Sequence, residues 1–239
     1  MSQPASTVRA RYGLIVPSSN RMGFGHAARF NPDGVVAHTA RLRMTGPYLM
    51  GLDALLPKVS EAAEMLADAI CGSIVFHCTA NSMAAGLAGE KRIAGAIEKA
   101  TGLTAATTAS ATMAAFEALE AKRVVLVSPY PRAPHEHEIE FLEEAGCEIV
   151  GERNLGLAGS EAYSAMPPSD WVDTLRAMKN DRADVYFASC ANIRAIEALE
   201  EMEDILDAPV VTSNQLVIWQ ALRLAGIKDP IPGLGRLAA

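Results

Sequence analysis

The sequence lacks the features that mark several common classes of protein. Its 239 residues include only four cysteines, and no two of them form a CxxC pair, so their spacing gives no indication of a zinc site. Asp and Glu outnumber Lys and Arg by 28 to 21, which gives a net charge of −7. Because the basic residues are also scattered, with no basic stripe between aromatic residues, we predict that nucleic acid is not a partner.

Long apolar runs are missing as well. No stretch approaches the roughly 18 apolar residues that a membrane-spanning helix needs, and residues 1–10 contain no apolar core of signal-peptide length. We therefore expect a cytoplasmic protein with no membrane partner, in which the four cysteines are thiols rather than disulfides. Half of the residues are hydrophobic and the length allows a sizeable core, which indicates a globular protein.

Motifs for common cofactors are not found either. The sequence has no phosphate-binding P-loop motif, and residues 23–25 and 233–235 are too short to form a dinucleotide-binding fingerprint. His135 and His137 lie two positions apart on a predicted helix, where side chains do not share a face, so we interpret them as a solvated helix start. We predict no cofactor and no metal.

What the sequence does contain is a regular alternation of short apolar runs with longer runs rich in Ala, Leu and Glu. Strands are predicted at residues 11–16, 73–76, 103–107, 122–127, 148–151, 184–188 and 209–212. Helices are predicted at residues 55–70, 83–100, 109–121, 135–145, 168–180, 192–206 and 215–225. Strands that alternate with helices of these lengths indicate βαβ units and parallel sheets.

An internal repeat is the more informative feature of the sequence. The repeated segments, first half before second, are residues 13–18 (GLIVPS) and 124–130 (VVLVSPY), 75–81 (VFHCTAN) and 186–192 (YFASCAN), and 104–108 (TAATT) and 209–213 (PVVTS). Cys78 follows Pro17 by 61 positions, and Cys190 follows Pro129 by the same 61 positions. Cys78 and Cys190 are therefore predicted to occupy equivalent positions of two similar lobes.

The repeat also predicts the organisation of the chain. We expect an α/β fold in which residues 1–120 form a first lobe with parallel strands and residues 121–218 form a second. Residues 219–239 are apolar enough to pack back on the body of the protein, after a turn rich in Pro and Gly. No flexible linker separates the lobes, so we expect them to pack tightly.

Candidate site residues follow the predicted strands, where parallel α/β sheets bind ligands. In the first lobe they are Pro17, Ser18, Ser19, Asn20, His77, Cys78, Thr79, Asn81, Thr107 and Thr108. In the second lobe they are Ser128, Tyr130, Ser189, Cys190, Asn192, Thr212, Ser213 and Asn214. If the lobes face each other by pseudo-twofold symmetry, these turns converge on one cleft that carries two thiols, many hydroxyls and amides, and few charges.

Such a lining suits the carboxylate of a small substrate, because backbone N–H groups and helix dipoles at these turns favour anions. The same turns are expected to lower the pKa of a cysteine, and a thiolate can add to an electrophilic carbon or remove an α-proton. A second, opposed thiol can donate or accept the proton. The plainer interpretations are that each cysteine is a small buried hydrophobic residue and that the Ser, Thr and Asn residues cap helices.

At these residues the sequence resembles the Asp/Glu racemase superfamily, and within it the maleate cis-trans isomerase and arylmalonate decarboxylase branch. The resemblance covers nearly the whole chain, and its motifs are residues 16–20 (VPSSN), 189–194 (SCANIR), 208–215 (APVVTSNQ) and 219–226 (WQALRLAG). It implies two flavodoxin-like lobes related by pseudo-twofold symmetry, with a cofactor-independent active site between them. It also makes a homodimer the expected assembly.

The resemblance implies a role for individual residues. Cys78 is expected to add to C2 of maleate as the nucleophile, with Cys190 as its acid/base partner, while Asn20 and Tyr130 hold the substrate carboxylates. Further candidates for substrate binding are Pro17, Thr79, Thr212, Ser213 and Ser160, the last in a loop where maleate isomerases usually carry an Asn. Isomerases of this branch carry both cysteines, whereas the decarboxylases have a glycine at the first, so the pair disfavours a decarboxylase.

Four hypotheses on function remain open at this point. The first is a two-cysteine isomerase of a small dicarboxylate, with maleate to fumarate as the leading reaction. The second is a racemase of a carboxylate such as an amino acid or hydantoin, which uses the same two thiols. A decarboxylase-like lyase is the third. The segment 21–32, which lacks acidic residues, resembles the decarboxylases of the branch more than its isomerases. The fourth is a carboxylate-binding protein without catalysis.

Overall fold

The computed structural model describes residues 8–44 and 49–239 of the chain. The strands in these residues are β1 Ala10–Pro17, β2 Val35–Leu42, β3 Ser73–Phe76, β4 Thr104–Thr107, β5 Arg123–Ser128, β6 Glu148–Asn154, β7 Val185–Ala188 and β8 Val210–Thr212. The helices are α1 Gly23–Phe30, α2 Leu52–Asp68, α3 Thr79–Met83, α4 Gly86–Thr101, α5 Thr108–Ala118, α6 Arg132–Glu144, α7 Ser160–Ala165, α8 Pro168–Ala177, α9 Leu199–Leu206 and α10 Ser213–Leu224. Short 3-10 helices follow at Ala195–Ala198 and Arg236–Ala238.

The strands form two sheets with the same topology. The first sheet has the order β2-β1-β3-β4 and the second the order β6-β5-β7-β8, and every neighbouring pair is parallel. The equivalence between β1 and β5, and between β3 and β7, is the one that the internal repeat predicts. The predicted α/β fold of two similar lobes with parallel sheets is therefore confirmed.

The central strands are continuous apolar runs because helices cover both faces of a parallel sheet. All four residues of β3 and all four of β7 are buried. One hydrophobic cluster extends across the lobes, with Leu14 and Val75 from the first sheet and Leu126 and Phe187 from the second. The lobes therefore share a core, as expected for two lobes without a flexible linker.

The helices α5 and α10 lie where the lobes meet, and they begin in the same way. Thr107 accepts a hydrogen bond from the backbone N–H of Ser110, and Thr212 accepts one from that of Gln215, each as part of a capping box. The two helices pack against each other. This symmetric contact places the turns that follow β3 and β7 on opposite sides of one cleft.

The sequence patterns missed one strand and three short helices and misplaced the start of another helix. The edge strand β2 was not predicted because only its first and last residues, Val35 and Leu42, are buried, which leaves no clear alternation. The short helices α1, α3 and α7 were also not predicted. The predicted helix 192–206 is wrong at its start, where residues 191–194 form a turn, the chain continues as a 3-10 helix, and α9 begins only at Leu199.

The end of the chain packs back on the second lobe. Helix α10 continues to Leu224, and beyond it the side chains of Ile231, Leu234 and Leu237 are buried. The side-chain amide of Gln215 donates a 2.7 Å hydrogen bond to the carbonyl of Leu234, which fixes this segment against α10. None of the helices in residues 8–44 and 49–239 is long and apolar enough to cross a membrane.

Candidate active site

A cleft with a cavity volume of about 100 Å³ is lined by residues of both lobes. The predicted site residues that line it are Pro17, Ser19, Asn20, Cys78, Thr79, Asn81, Tyr130, Ser160, Cys190 and Asn192. Apolar side chains complete the wall, among them Met44, Leu49 and Tyr163. No charged side chain lines the cleft within residues 8–44 and 49–239, and in the same residues no group of three or more His, Cys, Asp or Glu is arranged to hold a metal ion.

Cys78 follows the buried strand β3 and stands at the N-cap position of α3. Its backbone is extended, with a φ of −149°, and its carbonyl accepts the first hydrogen bond of the helix from the N–H of Ser82. The residue is 8% exposed. The strand-to-helix turn therefore places Cys78 in the lining of the cleft, with little access for water.

Cys190 follows the equivalent strand β7, but its backbone has a φ of 147°, which non-glycine residues rarely adopt. Two hydrogen bonds hold it there: the Cys190 N–H donates to Ser213 Oγ at 3.0 Å, and the Asn192 N–H donates to Cys190 Sγ at 3.3 Å. Strain of this kind persists only where the surroundings enforce it, and it concentrates at functional sites. The conformation thus marks Cys190 as a functional candidate.

Glycine in place of each cysteine is expected to have different effects on stability. Cys190→Gly removes the strain of a positive φ, whereas Cys78→Gly removes none, and both variants lose a buried side chain. We expect the free energy of unfolding of Cys190→Gly to exceed that of Cys78→Gly by about 1–3 kcal/mol in urea denaturation. An equal or greater loss for Cys190→Gly contradicts backbone strain at this position.

Burial raises the pKa of both thiols. It raises the pKa of Cys78 to about 11, although the backbone N–H of Asn81 favours the thiolate. It raises the pKa of Cys190 to about 12, although the Tyr130 hydroxyl and the Asn192 N–H act in the opposite direction. The expectation of a lowered cysteine pKa is therefore wrong, because exclusion of water outweighs the donors at these turns.

Tyr130 is a polar side chain of the second lobe whose hydroxyl contacts the thiol of Cys190. It is buried, and its ring packs edge-on against Tyr163 with the centroids 5.6 Å apart. Burial, followed by the negative charges that Cys190 and Glu138 carry when ionised, raises the pKa of Tyr130 well above its ordinary value. Tyr130 is therefore a neutral hydrogen-bond donor at the cleft.

Asn20 ties the first lobe to the turn of Cys190. Its Nδ2 donates to the carbonyl of Ala191 at 2.6 Å, and its Oδ1 accepts from the N–H groups of Met22 and Gly23. A second hydrogen bond joins the same two turns: Asn192 Oδ1 accepts from the backbone N–H of Arg21 at 2.7 Å. Asn20 lines the cleft as predicted, but only one of its two N–H bonds is left for a substrate.

Ser160 and Thr79 also form hydrogen bonds within the protein. Ser160 Oγ donates to Ser19 Oγ at 3.1 Å, and the carbonyl of Ser160 accepts from Asn192 Nδ2 at 2.8 Å. Thr79 Oγ1 donates to Ser213 Oγ at 2.9 Å, across the contact between the lobes. These hydroxyls line the wall of the cleft and join the lobes at the same time.

Thr212 and Ser213 do not line the cleft, contrary to the prediction that they bind substrate. Thr212 is fully buried, and its hydroxyl caps α10. Ser213 is also fully buried, and its Oγ accepts hydrogen bonds from the Cys190 N–H and from Thr79. Both residues support the turn that carries Cys190, because they follow β8, the neighbour of β7.

His77 and His135, both noted in the sequence, are buried and form hydrogen bonds within the protein. His77 is buried, with Nε2 donating to Asn214 Oδ1 at 2.7 Å and Nδ1 lying 3.2 Å from Thr108 Oγ1, and burial lowers its pKa to about 4. His77 is thus a neutral link between the lobes. The interpretation of His135 as solvated is wrong, because it is fully buried between Ser128 and Glu152.

Glu138 is a buried carboxyl beside the site that sequence reasoning missed. It is 0% exposed, and its Oε1 accepts a 2.7 Å hydrogen bond from the hydroxyl of Ser189, the residue before Cys190. Burial raises the pKa of Glu138 to about 8. The available signal was helical spacing, because His135, Glu138, Phe141 and Leu142 form the buried face of α6.

Fold and cleft together define a class of two-lobed α/β proteins in which each lobe contributes one cysteine to a shared cavity. A family model described as arylmalonate decarboxylase matches residues 12–238, and the chain belongs to this family. The predicted branch of the Asp/Glu racemase superfamily is thereby confirmed, and so is the prediction that the protein is an enzyme of that superfamily.

Both activities of this branch occur among the similar proteins. Arylmalonate decarboxylase of Bordetella bronchiseptica is 31% identical, over 98% of this chain and 98% of the relative. Maleate isomerase of Pseudomonas putida is 27% identical, over 95% of this chain and 96% of the relative. A solved structure of Nocardia farcinica maleate cis-trans isomerase, a cysteine-to-serine variant with a covalently bound succinylcysteine intermediate, matches with a TM-score of 0.87 at 25% identity, covering 96% of this chain and 98% of that one.

Proposed function

We propose that the protein is a cofactor-independent isomerase of a small dicarboxylate, and that it converts maleate to fumarate through an adduct on Cys78. The observation that carries this proposal is that Cys78 and Cys190, one from each lobe, line the same cleft. The succinylcysteine intermediate of the Nocardia farcinica relative supports chemistry of this kind. A decarboxylase of the expected pattern needs only the second cysteine, so the presence of Cys78 favours the isomerase.

The reaction can be written with balanced protons and electrons. The Cys78 thiolate attacks C2 of maleate, the electron pair of the C2–C3 double bond moves to C3, and the Cys190 thiol protonates C3. Rotation about the new C2–C3 single bond brings the carboxylates to the trans arrangement. The Cys190 thiolate then removes a proton from C3, the double bond forms again, and the Cys78 thiolate leaves.

The surroundings of the cleft fit these steps. The Tyr130 hydroxyl and the remaining N–H of Asn20 are neutral donors for carboxylate oxygens. The apolar wall of Met44, Leu49 and Tyr163 keeps water from the adduct. Because burial raises both thiol pKa values, the Cys78 thiolate is a minor form at neutral pH, and its fraction grows as the pH rises.

Proton NMR of the purified protein with maleate in D2O, without added cofactor, tests the proposed reaction. Wild-type protein is expected to convert the maleate signal to that of fumarate, and protein with alkylated thiols is expected to leave it unchanged. No fumarate from the unmodified protein eliminates maleate as the substrate.

Racemisation of a carboxylate is the second candidate, and the polarity of the cleft favours it. No charged side chain lines the cleft in the described part of the chain. The amides of Asn20 and Asn192 each donate one N–H to a backbone carbonyl of the protein. These groups suit one carboxylate better than two. In a racemase each cysteine serves one enantiomer, so replacing either should block α-deuterium exchange from only one enantiomer, and equal loss from both argues against it.

Three further predictions accompany this proposal. A small carboxylate is the expected partner, and the homodimer implied by the family resemblance stays a prediction that sedimentation velocity can check. A cytoplasmic location also stays a prediction of the sequence.

A further inference from the structure

Glu138 is a carboxyl whose burial the proposed reaction steps do not explain. It lies on α6 and does not line the cleft, and within the described part of the chain its one hydrogen bond comes from Ser189 Oγ to its Oε1. Its Oε2 is buried and has no hydrogen-bond partner among residues 8–44 and 49–239. A buried carboxylate oxygen without a donor is costly, whereas the neutral carboxyl is tolerated far better, so the geometry favours the protonated form.

The titratable groups that face Glu138 come from three different elements. They are Cys78, the N-cap of the helix α3 that packs against α6, Tyr130, two residues before α6 begins, and Cys190, the neighbour of the Ser189 that donates to Glu138. A negative charge on Glu138 opposes ionisation of each. The helix α4 and the strand β6 also pack against α6, but no cation of the described residues is placed to stabilise the Glu138 carboxylate. His135, on α6 itself, is bound to Ser128 and Glu152.

We propose that Glu138 is a positioning residue that controls both cysteines through its charge: the thiols can ionise while its carboxyl is neutral, and ionisation of the carboxyl suppresses thiolate formation at Cys78 and Cys190. The inference rests on the proposed function only in taking these thiols as the reactive groups. Its sign follows from like-charge repulsion in a site that excludes water. It flattens the rise of thiolate with pH over the range in which Glu138 ionises, and displaces the remaining rise to higher pH.

Alkylation of each thiol by iodoacetamide, followed across pH by peptide mass spectrometry, measures this control without any substrate, because the thiolate is the reacting form. Glu138→Gln carries no charge at any pH. Below about pH 7 its alkylation rates should equal those of wild type, in which Glu138 is neutral. Above about pH 9 both Cys78 and Cys190 of the variant should react about 10-fold faster than in wild type, which corresponds to one unit in the thiol pKa.

Two further variants keep the test decisive. Glu90→Gln is the matched control, because Glu90 is also buried and accepts a hydroxyl hydrogen bond, from Thr107 at 2.9 Å, and it should follow the wild-type curve. Ser189→Ala removes the one donor that favours the Glu138 carboxylate, so it should move the onset of suppression to higher pH. This variant also serves if Glu138→Gln fails to fold.

A rate increase of Glu138→Gln that is the same at every pH would indicate loosened packing and overturn the inference. Identical curves for Glu138→Gln and wild type would overturn it as well. If the pH-dependent difference appears but maleate is not isomerised, the control by Glu138 stands and only the proposed reaction fails.

Discussion

Cys78→Ala is expected to lower the turnover of maleate by about 10³-fold or more, because no adduct can form without the nucleophile. Cys78 lines the cleft together with Thr79 and Cys190, and within residues 8–44 and 49–239 no third cysteine lines this cavity. The rate of fumarate formation at saturating maleate measures the effect directly.

The control for this variant is Cys71→Ala. Cys71 is also a buried free thiol, but it belongs to the core of the first lobe and does not line the cleft. It should lose stability without a comparable loss of turnover. Retention of more than about a tenth of wild-type turnover in Cys78→Ala would rule out covalent catalysis by Cys78.

Tyr130→Phe is expected to lower kcat/KM by about 10²-fold, the usual effect of removing one donor that stabilises developing negative charge. Electron density moves toward a carboxylate when the thiolate adds to the double bond, and the Tyr130 hydroxyl lies at the cleft beside Cys190. Removal of the hydroxyl leaves the ring, so its edge-on packing against Tyr163 should be preserved. Steady-state kinetics with maleate gives the value.

Tyr186→Phe is the matched control for Tyr130→Phe. The Tyr186 hydroxyl is likewise held inside the protein, where it accepts from the backbone N–H of Asn180 at 2.7 Å, but Tyr186 does not line the cleft. It should alter stability and leave kcat/KM near the wild-type value. An equal loss in both variants shows that Tyr130 acts through the fold rather than on the substrate.

The parts of the fold that could be predicted from the sequence are those whose sequence pattern occurs in both halves of the chain. A repeat carries strand order and turn position together, so the equal spacing of Cys78 from Pro17 and of Cys190 from Pro129 was enough to pair the two cysteines. The edge strand β2 lies outside the repeated segments. Its half-exposed residues alternate weakly, and edge strands tolerate this because one side faces solvent.

The electrostatics of the site could not be predicted in the same way, because they depend on solvent exclusion by both lobes. A turn at a helix start favours a thiolate, but the packed cleft withdraws water from Cys78 and Cys190 and reverses the direction of the pKa shift. Thr212 illustrates the same limit for hydrogen bonds. Its position after β8 suits either ligand binding or helix capping, and only the fold shows that it caps α10.

Trapping of the adduct tests the central claim, that the two thiols act as nucleophile and acid/base partner, most directly. Cys190→Ser protein incubated with maleate and analysed by peptide mass spectrometry should carry a succinyl group on Cys78 and none on Cys71 or Cys147. The double variant Cys78→Ala/Cys190→Ser should carry none at all. Labelling spread equally over Cys71, Cys78 and Cys147, or an unmodified Cys78, contradicts the proposed two-thiol mechanism.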